Sequence, residues 1–220
     1  MRKIQVFSKR IIDKDGESLS ETTKDYFNRI NAAAQRMRKL IESLLSFSRT
    51  IHGVIAYERT DLNEILLEVK NDLNELIIQK NAVIESQTLP VLDAVPVMMH
   101  QLFLNLIGNS LKYSKDEVAP QIKITAEKVT INEKDGQVSQ QETFWKIVVS
   151  DNGIGFEQRY EHKIFEVFQR LHSKTTFEGT GIGLAICKKI VQLHKGTITA
   201  TAQLNVGATF TFFLAINNKL

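Results

Sequence analysis

Four stretches of this sequence carry side chains whose types and spacing suit chemistry as well as packing. In HQLFLNLIGNSLKYS, beginning at His100, Asn105 and Asn109 stand four apart and Lys112 follows three residues later. On a helix these three share one stripe of an otherwise apolar surface. Asparagine is a poor helix former, so two of them in mid-helix ask for a reason. Carboxamide oxygens suit a hard cation that keeps some of its waters, and an ammonium suits phosphate. The plain alternative is a pair of surface or capping amides. In DNGIGF, beginning at Asp151, a carboxylate directly follows the strand-like FWKIVVS, and Gly153 and Gly155 come after it. The glycines permit close backbone approach. A carboxylate can only accept, so it suits an exocyclic amine such as that of adenine. A tight turn with a solvated aspartate is the alternative.

The third stretch is GTGIGLAICKKIVQLH, where Gly179, Gly181 and Gly183 precede a helical pattern that begins around Leu184. Backbone N–H groups at a helix start face an anion favourably. No G-K-[ST] follows, so it is not a Walker loop, and no βαβ unit surrounds it as a dinucleotide fingerprint requires. A flexible loop before a helix reads the same way. The fourth, IFEVFQRLHSKTTFE at 164–178, has aromatic anchors at Phe165 and Phe168 and then a polar run, the texture of a lid. Here a connecting helix and loop is the alternative. His162 and His172 read as exposed polar residues.

Elements must position these groups, and the composition bounds what they can be. The chain has 220 residues, 28 Lys+Arg against 25 Asp+Glu, and a formal charge of +3, too small to argue for nucleic acid. Hydrophobic residues make up 43%, ordinary globular usage that excludes disorder. No apolar run approaches the roughly 18 residues of a spanning helix. One cysteine, Cys187, excludes an internal disulfide and a cysteine-based zinc cluster. A cytoplasmic chain is the expectation.

Residues 4–12 carry a short helical pattern, DKDGES a turn, and residues 20–49 a long pattern with two overlapping apolar seams, as in a helical bundle. The long helix would run about 45 Å and the first only about 18 Å at 1.5 Å per residue. The mismatch reads as a cut first helix in a hairpin that also dimerises; packing on the following domain is the alternative. A linker at 50–59 marks the boundary. Beyond it the patterns predict a helix over 60–80 capped by Asp61 and Glu64, strands at 82–86 and 91–94, and a helix over 97–113. They go on to a hairpin of 121–131 with 143–150 turning at EKDG, a helix over 180–194, and a final strand pair at 196–202 and 208–214. The fold class is α/β: a two-layer α/β sandwich with a mixed sheet and helices on one face, preceded by an incomplete antiparallel helical hairpin.

In their order, N-x-x-x-N-x-x-K, D-N-G-I-G-F, F-x-x-F and G-T-G-I-G-L closely resemble the N, G1, F and G2 boxes of sensor histidine kinases, within the gyrase/histidine-kinase ATPase superfamily. The resemblance covers about residues 60–216 and reaches into the helical half, where LIESLLSFSR and RKIQVFSKRI look like the ends of that family's two hairpin helices. It implies a partial dimerisation and phosphotransfer hairpin at 1–52 and a catalytic ATP-binding domain at 60–217. It implies ATP and Mg²⁺ as cofactors, with Asn109 a metal ligand and Asn105 its support or second ligand. Lys112 should approach the phosphates, Tyr113 the adenine, and Asp151 the adenine amine, with Gly153 and Gly155 shaping that wall. Gly179, Gly181, Gly183 and Leu184 should surround the nucleotide, and Thr209 should complete the adenine pocket through a water. The implied partners are a response regulator receiver domain and a second copy through the hairpin, with no nucleic acid; the parent is membrane-attached or soluble.

The sequence departs from the family in three places. Val95 stands near where an aspartate is expected before the N-box helix, and Lys195 where a second glycine is common. The phosphoacceptor motif, a histidine followed by a polar run and Pro-Leu, is absent: the histidines are His52, His100, His162, His172 and His194. The expectation is a truncated kinase core, with Met1 an internal start, that binds ATP and does not phosphorylate itself. Two other readings are a degenerate, non-kinase nucleotide-binding scaffold that dimerises, and another ATPase of the same superfamily. Intact Asn109 and Asp151 argue against the first, and the helical hairpin and F-x-x-F against the second.

Overall fold

A computed structural model of the chain describes residues 2–15, 18–34, 56–135, 138–169, 171 and 180–216. The chain divides into two compact units, residues 1–49 and 50–220. The first unit holds α1 (Arg2–Asp15) and a second helix, α2, described over residues 21–34. Ser20 starts α2 as the Ser20/Thr23 pairing predicts: its Oγ accepts from Thr23 N at 3.2 Å, and its carbonyl takes the first helical bond from Lys24 N. Phe7, Val6 and Ile11 of α1 and Tyr26 and Ile30 of α2 are exposed. The expected continuation of α2 to residue 49 lies outside the described residues.

The second unit opens with β1 (Glu58–Asp61), which pairs antiparallel with β3 (Val91–Ala94) as a two-stranded ribbon. Asp61 then caps α3 (Leu62–Asp72), its Oδ1 accepting from Asn63 N at 2.8 Å. The single helix expected over 60–80 is corrected on two counts. Thr60 belongs to the strand, and the helix breaks at Leu73 before α4 (Asn74–Gln79). The break follows Asn71 and Asp72, both weak helix formers. Strand β2 (Val83–Ser86) precedes β3, and α5 (Pro96–Lys112) follows it.

A second, five-stranded sheet has the order β2-β4-β5-β7-β6, with β4 (Gln121–Asp135), β5 (Val138–Asp151), β6 (Ile198–Gln203) and β7 (Gly207–Ala215). Strand β2 runs parallel to β4 because α5 crosses between them, and every other pairing is antiparallel, so the sheet is mixed. The β4–β5 hairpin is longer than its alternation suggests: Asp135 pairs with Val138, so most of EKDG lies in strand. Burial alternates along β7, at the start of β4 and at the end of β5. Ile122, Ile124, Ile147, Val149, Phe210, Phe212 and Leu214 are buried, and the core lies between that sheet face and α3, α5 and α6 (Gly183–Leu193). The opposite face carries pairs such as Lys146–Glu127 at 2.7 Å.

The departures near Val95 and Lys195 meet at one place. Pro96 at the first turn of α5 needs no acceptor, and the Val95 N–H donates to His194 Nε2 at 3.1 Å. His194 is fully buried, and its Nδ1 lies 2.8 Å from Ile190 O. A carbonyl only accepts and an N–H only donates, so the ring is neutral with its proton on Nδ1. Burial accordingly pushes its pKa below the ordinary value. Tyr57 stands edge-on to the ring at 5.2 Å and donates its hydroxyl to Leu193 O. Lys195 follows in the left-handed conformation, φ 53°, that a glycine fills more easily.

A histidine whose folded pKa is depressed gives stability that is present above its unfolded pKa of about 6.5 and lost as pH falls below it. Unfolding free energy should therefore decline between about pH 7 and pH 5.5. His194→Gln, which keeps an acceptor without the titration, should flatten that decline when chemical unfolding is followed across the range.

Candidate functional site

Asp151 closes β5, and the turn after it is locked on both sides. Asn152 Oδ1 accepts from Gln121 N at 2.8 Å, and its Nδ2 donates to Ala119 O at 3.1 Å. Asp151 Oδ1 accepts from Gly153 N at 2.9 Å and from Ala208 N at 3.2 Å, and Oδ2 accepts from Ser110 Oγ at 2.9 Å. The last β5–β7 pair is Ser150 with Thr209, so the carboxylate takes up the next β7 N–H beyond the ladder. Ile154 N donates to Tyr113 O at 2.9 Å, tying the end of α5 to the same turn. Gly155 has φ +62°, and a Cβ there would lie 2.1 Å from Gln203 O. Burial pushes the Asp151 carboxyl above its ordinary range, while the bonds from Gly153, Ser110 and Ala208 and the charge of Lys115 pull it back.

A cleft opens over Asp151 and extends along α5 in two lobes that share Asn109, Tyr113, Ile164, Gln169 and Leu184. The first lobe is mostly apolar, walled by Phe156, Leu171, Ala208 and Phe210, with Ser110, Asp151 and Gly155 at its polar end. The second is more polar, lined by Asn105, Lys112, Thr180, Gly181 and Gly183. A flat heterocycle with an amine suits the first lobe and an anionic group the second. Gly181 has φ +71°, and a Cβ there would lie 2.8 Å from Gln169 O; Phe168 N donates to Gly181 O at 2.9 Å. These contacts fix the backbone where it enters α6.

The sequence matches, over residues 94–218, the family described as histidine kinase-, DNA gyrase B-, and HSP90-like ATPase. The chain belongs to this ATPase family. Cyanobacterial phytochrome A of Nostoc sp. strain PCC 7120 is 37% identical over 183 residues, 83% of this chain and 22% of that protein. The catalytic domain of histidine kinase ThkA is 25% identical with a TM-score of 0.57, covering 73% of this chain and 96% of the other. ThkA in complex with the response regulator protein TrrA shares the fold at a TM-score of 0.65 and 22% identity, over 98% of this chain and 58% of that one. The chain spans 22%, 25% and 27% of the lengths of three cyanobacterial phytochrome relatives. It therefore carries an ATPase domain like the catalytic cores of histidine kinases, and its sequence lacks an evident phosphoacceptor motif.

Within this ATPase domain Asn109, Lys112, Tyr113, Asp151, Gly155, Gly181, Gly183 and Leu184 all reach the cleft. Gly153 stands behind Asp151 as a donor. Asn105 reaches the cleft but also braces it, its Nδ2 donating to Gly183 O at 3.3 Å and its Oδ1 accepting from Gln101 Nε2 at 3.2 Å. Lys112 Nζ donates to Tyr113 Oη at 2.9 Å and lies 4.4 Å from that ring's centroid. Gly179 lies outside the described residues. Thr209 is corrected: alternation along β7 turns Ala208 and Phe210 into the cleft and Thr209 to the other sheet face. Phe168 is corrected too. It is 58% exposed with φ 67°, and Ile164 and Phe165 are the buried anchors of that segment.

Sequence reasoning missed Ser110, Phe156, Ile164, Ala208 and Phe210. Ser110 carried a usable signal, since a lone hydroxyl on the buried side of an apolar helix must find a partner. As for a metal, the described residues hold no cluster of three or more His, Cys, Asp or Glu. A carboxamide suits a hard cation that takes its other ligands from water and phosphate, and Asn109 lines both lobes of the cleft. Gly155→Ala should destabilise the domain by about 3 kcal/mol or more, read from chemical unfolding, because it adds left-handed strain to a backbone clash.

Proposed function

We propose that this domain binds ATP with Mg²⁺ and serves as the catalytic half of a sensor histidine kinase, transferring the γ-phosphoryl group to a histidine outside the motifs of this sequence. The observation that carries the reading is the position of Asp151. Its carboxylate has fixed donors on Oδ1 and on one side of Oδ2, and it stands at the end of an apolar lobe that continues into a polar one. Adenine lies in the apolar lobe with its amine on Asp151, beside Tyr113 and Leu184. Lys112 and the Gly181–Gly183 backbone face the phosphates; Gly179 belongs with them by motif. Asn109 would hold the metal, with Asn105 as its brace. A bound Mg²⁺ would supply positive charge there to offset that of the phosphates. The protein's own contribution is to orient the nucleotide, neutralise its charge with Lys112 and exclude water along Phe156 and Phe210.

Residues 1–52 belong to a dimerisation and phosphotransfer hairpin, and residues 60–217 form the catalytic domain. Exposed Phe7, Tyr26 and Ile30 support a second copy as the cover of that hairpin in the parent. The ThkA–TrrA complex supports a receiver domain as the downstream partner. No helix among the described residues is long and apolar enough to cross a membrane; cytoplasmic placement of this region is part of the kinase reading.

Asn109→Asp and Asp151→Asn should each weaken ATP binding at least about tenfold in calorimetric titration. If neither change weakens it, the site is wrongly assigned. Incubated with γ-labelled ATP and Mg²⁺, the chain should remain free of acid-labile, base-stable label, because none of its five histidines sits in a phosphoacceptor motif. Such label on the protein would contradict the reading.

A further inference from the structure

Ser110 is the one side-chain donor to Asp151 among the described residues, and it has a choice of acceptor. The residue is 3% exposed, with Oγ 2.9 Å from Asp151 Oδ2 and 3.2 Å from Leu106 O. A hydroxyl has one proton to give. A charged acceptor draws it more strongly than a carbonyl that already belongs to a helix, so toward an ionised Asp151 the proton points at Oδ2. If Asp151 takes up a proton, the same oxygen can receive it and turn its own proton to Leu106 O. Ser110 thus satisfies either state of the carboxyl without moving.

The two states differ in what they offer a ligand. A carboxylate has about four lone-pair sites. Gly153 and Ala208 occupy Oδ1, and Ser110 occupies one side of Oδ2, which leaves a single acceptor site. We propose that Ser110 is the positioning residue that makes this cleft select 6-aminopurines over 6-oxopurines, by holding the Asp151 carboxylate so that its last free lone pair faces the base. The proposal rests on the nucleotide reading of the cleft. A 6-amino group donates to that lone pair, whereas a 6-oxo group meets oxygen with oxygen. Without the Ser110 proton the carboxyl gains a proton more readily, because burial already favours the neutral form. A protonated Asp151 can donate to a 6-oxo oxygen, and discrimination fades. Among the described residues the charged group acting on the carboxyl is Lys115, which favours ionisation; Tyr113 lines the same lobe, and the remaining donors are backbone.

Ser110→Ala removes the hydroxyl and keeps a good helix former, and thermal unfolding of the variant checks that the fold persists. ATP and inosine triphosphate are titrated into the 220-residue chain, wild type and variant, from about pH 4 to about pH 8. Binding of ATP should fail on the acid side as Asp151 is protonated. In the variant that acid limb should move to higher pH, and along it the preference for ATP over inosine triphosphate should fall about tenfold. A folded variant with the wild-type preference and an unmoved acid limb overturns the inference and leaves the nucleotide site standing. Equal weakening toward both nucleotides also overturns it. A wild-type chain that binds neither nucleotide overturns the nucleotide reading and this inference together.

Discussion

A carboxylate taken out of water must receive its hydrogen bonds from groups held in place, and the groups that serve Asp151 come from three different parts of the chain. Ser110 belongs to α5, Gly153 to the turn after β5, and Ala208 to β7. Each element has its own reason to be where it is: α5 buries Leu102, Leu106 and Leu111, and β7 buries Phe210, Phe212 and Leu214. The carboxylate lies where those packing decisions meet. An unpaired buried charge would cost several kcal/mol, so the position of these elements and the ionised state of Asp151 support one another.

The second junction joins α5 to α6. Near the cleft, Asn105 bonds the carbonyl of Gly183 at the start of α6. At the opposite end His194, just past α6, accepts from Val95, just before α5. Between them Cys187 is fully buried, with its thiol pushed up to about 12, and it packs as a small apolar group. Two polar clasps with an apolar middle hold the helices as one layer. This explains how the domain tolerates Val95 without a side-chain cap: Pro96 removes one demand and His194 meets another.

Much of the domain was legible because its elements are strongly periodic. The helix over 97–113 and the strands at 91–94 and 208–214 differ from the observed bounds by at most a residue or so. Strand β1 was hidden because ERTD has no apolar alternation; it is made by its register with β3. In β7 the strand was legible and its phase was not. A motif places a residue along a strand, but a shift of one position reverses the face, and that shift separates Thr209 from the cleft. The chemistry-bearing asparagines and Asp151 stood out because their types are unusual in their surroundings. Ser110 did not, since a serine beside an asparagine is unremarked until the helix turns it inward.

The seam between β5 and β7 has a consequence for the energetics of the whole sheet. The β4–β5 and β6–β7 pairs are hairpins between chain neighbours, whereas Asp151 and Ala208 lie 57 residues apart in sequence. Joining the two hairpins is the step that closes a long loop and bears its entropy. The cleft straddles that seam, with Asp151 on one side and Ala208 and Phe210 on the other. A molecule seated there is bound by both halves at once. By mass action it stabilises the union of the hairpins as well as its own contacts, so occupancy of the cleft and cohesion of the sheet rise and fall together.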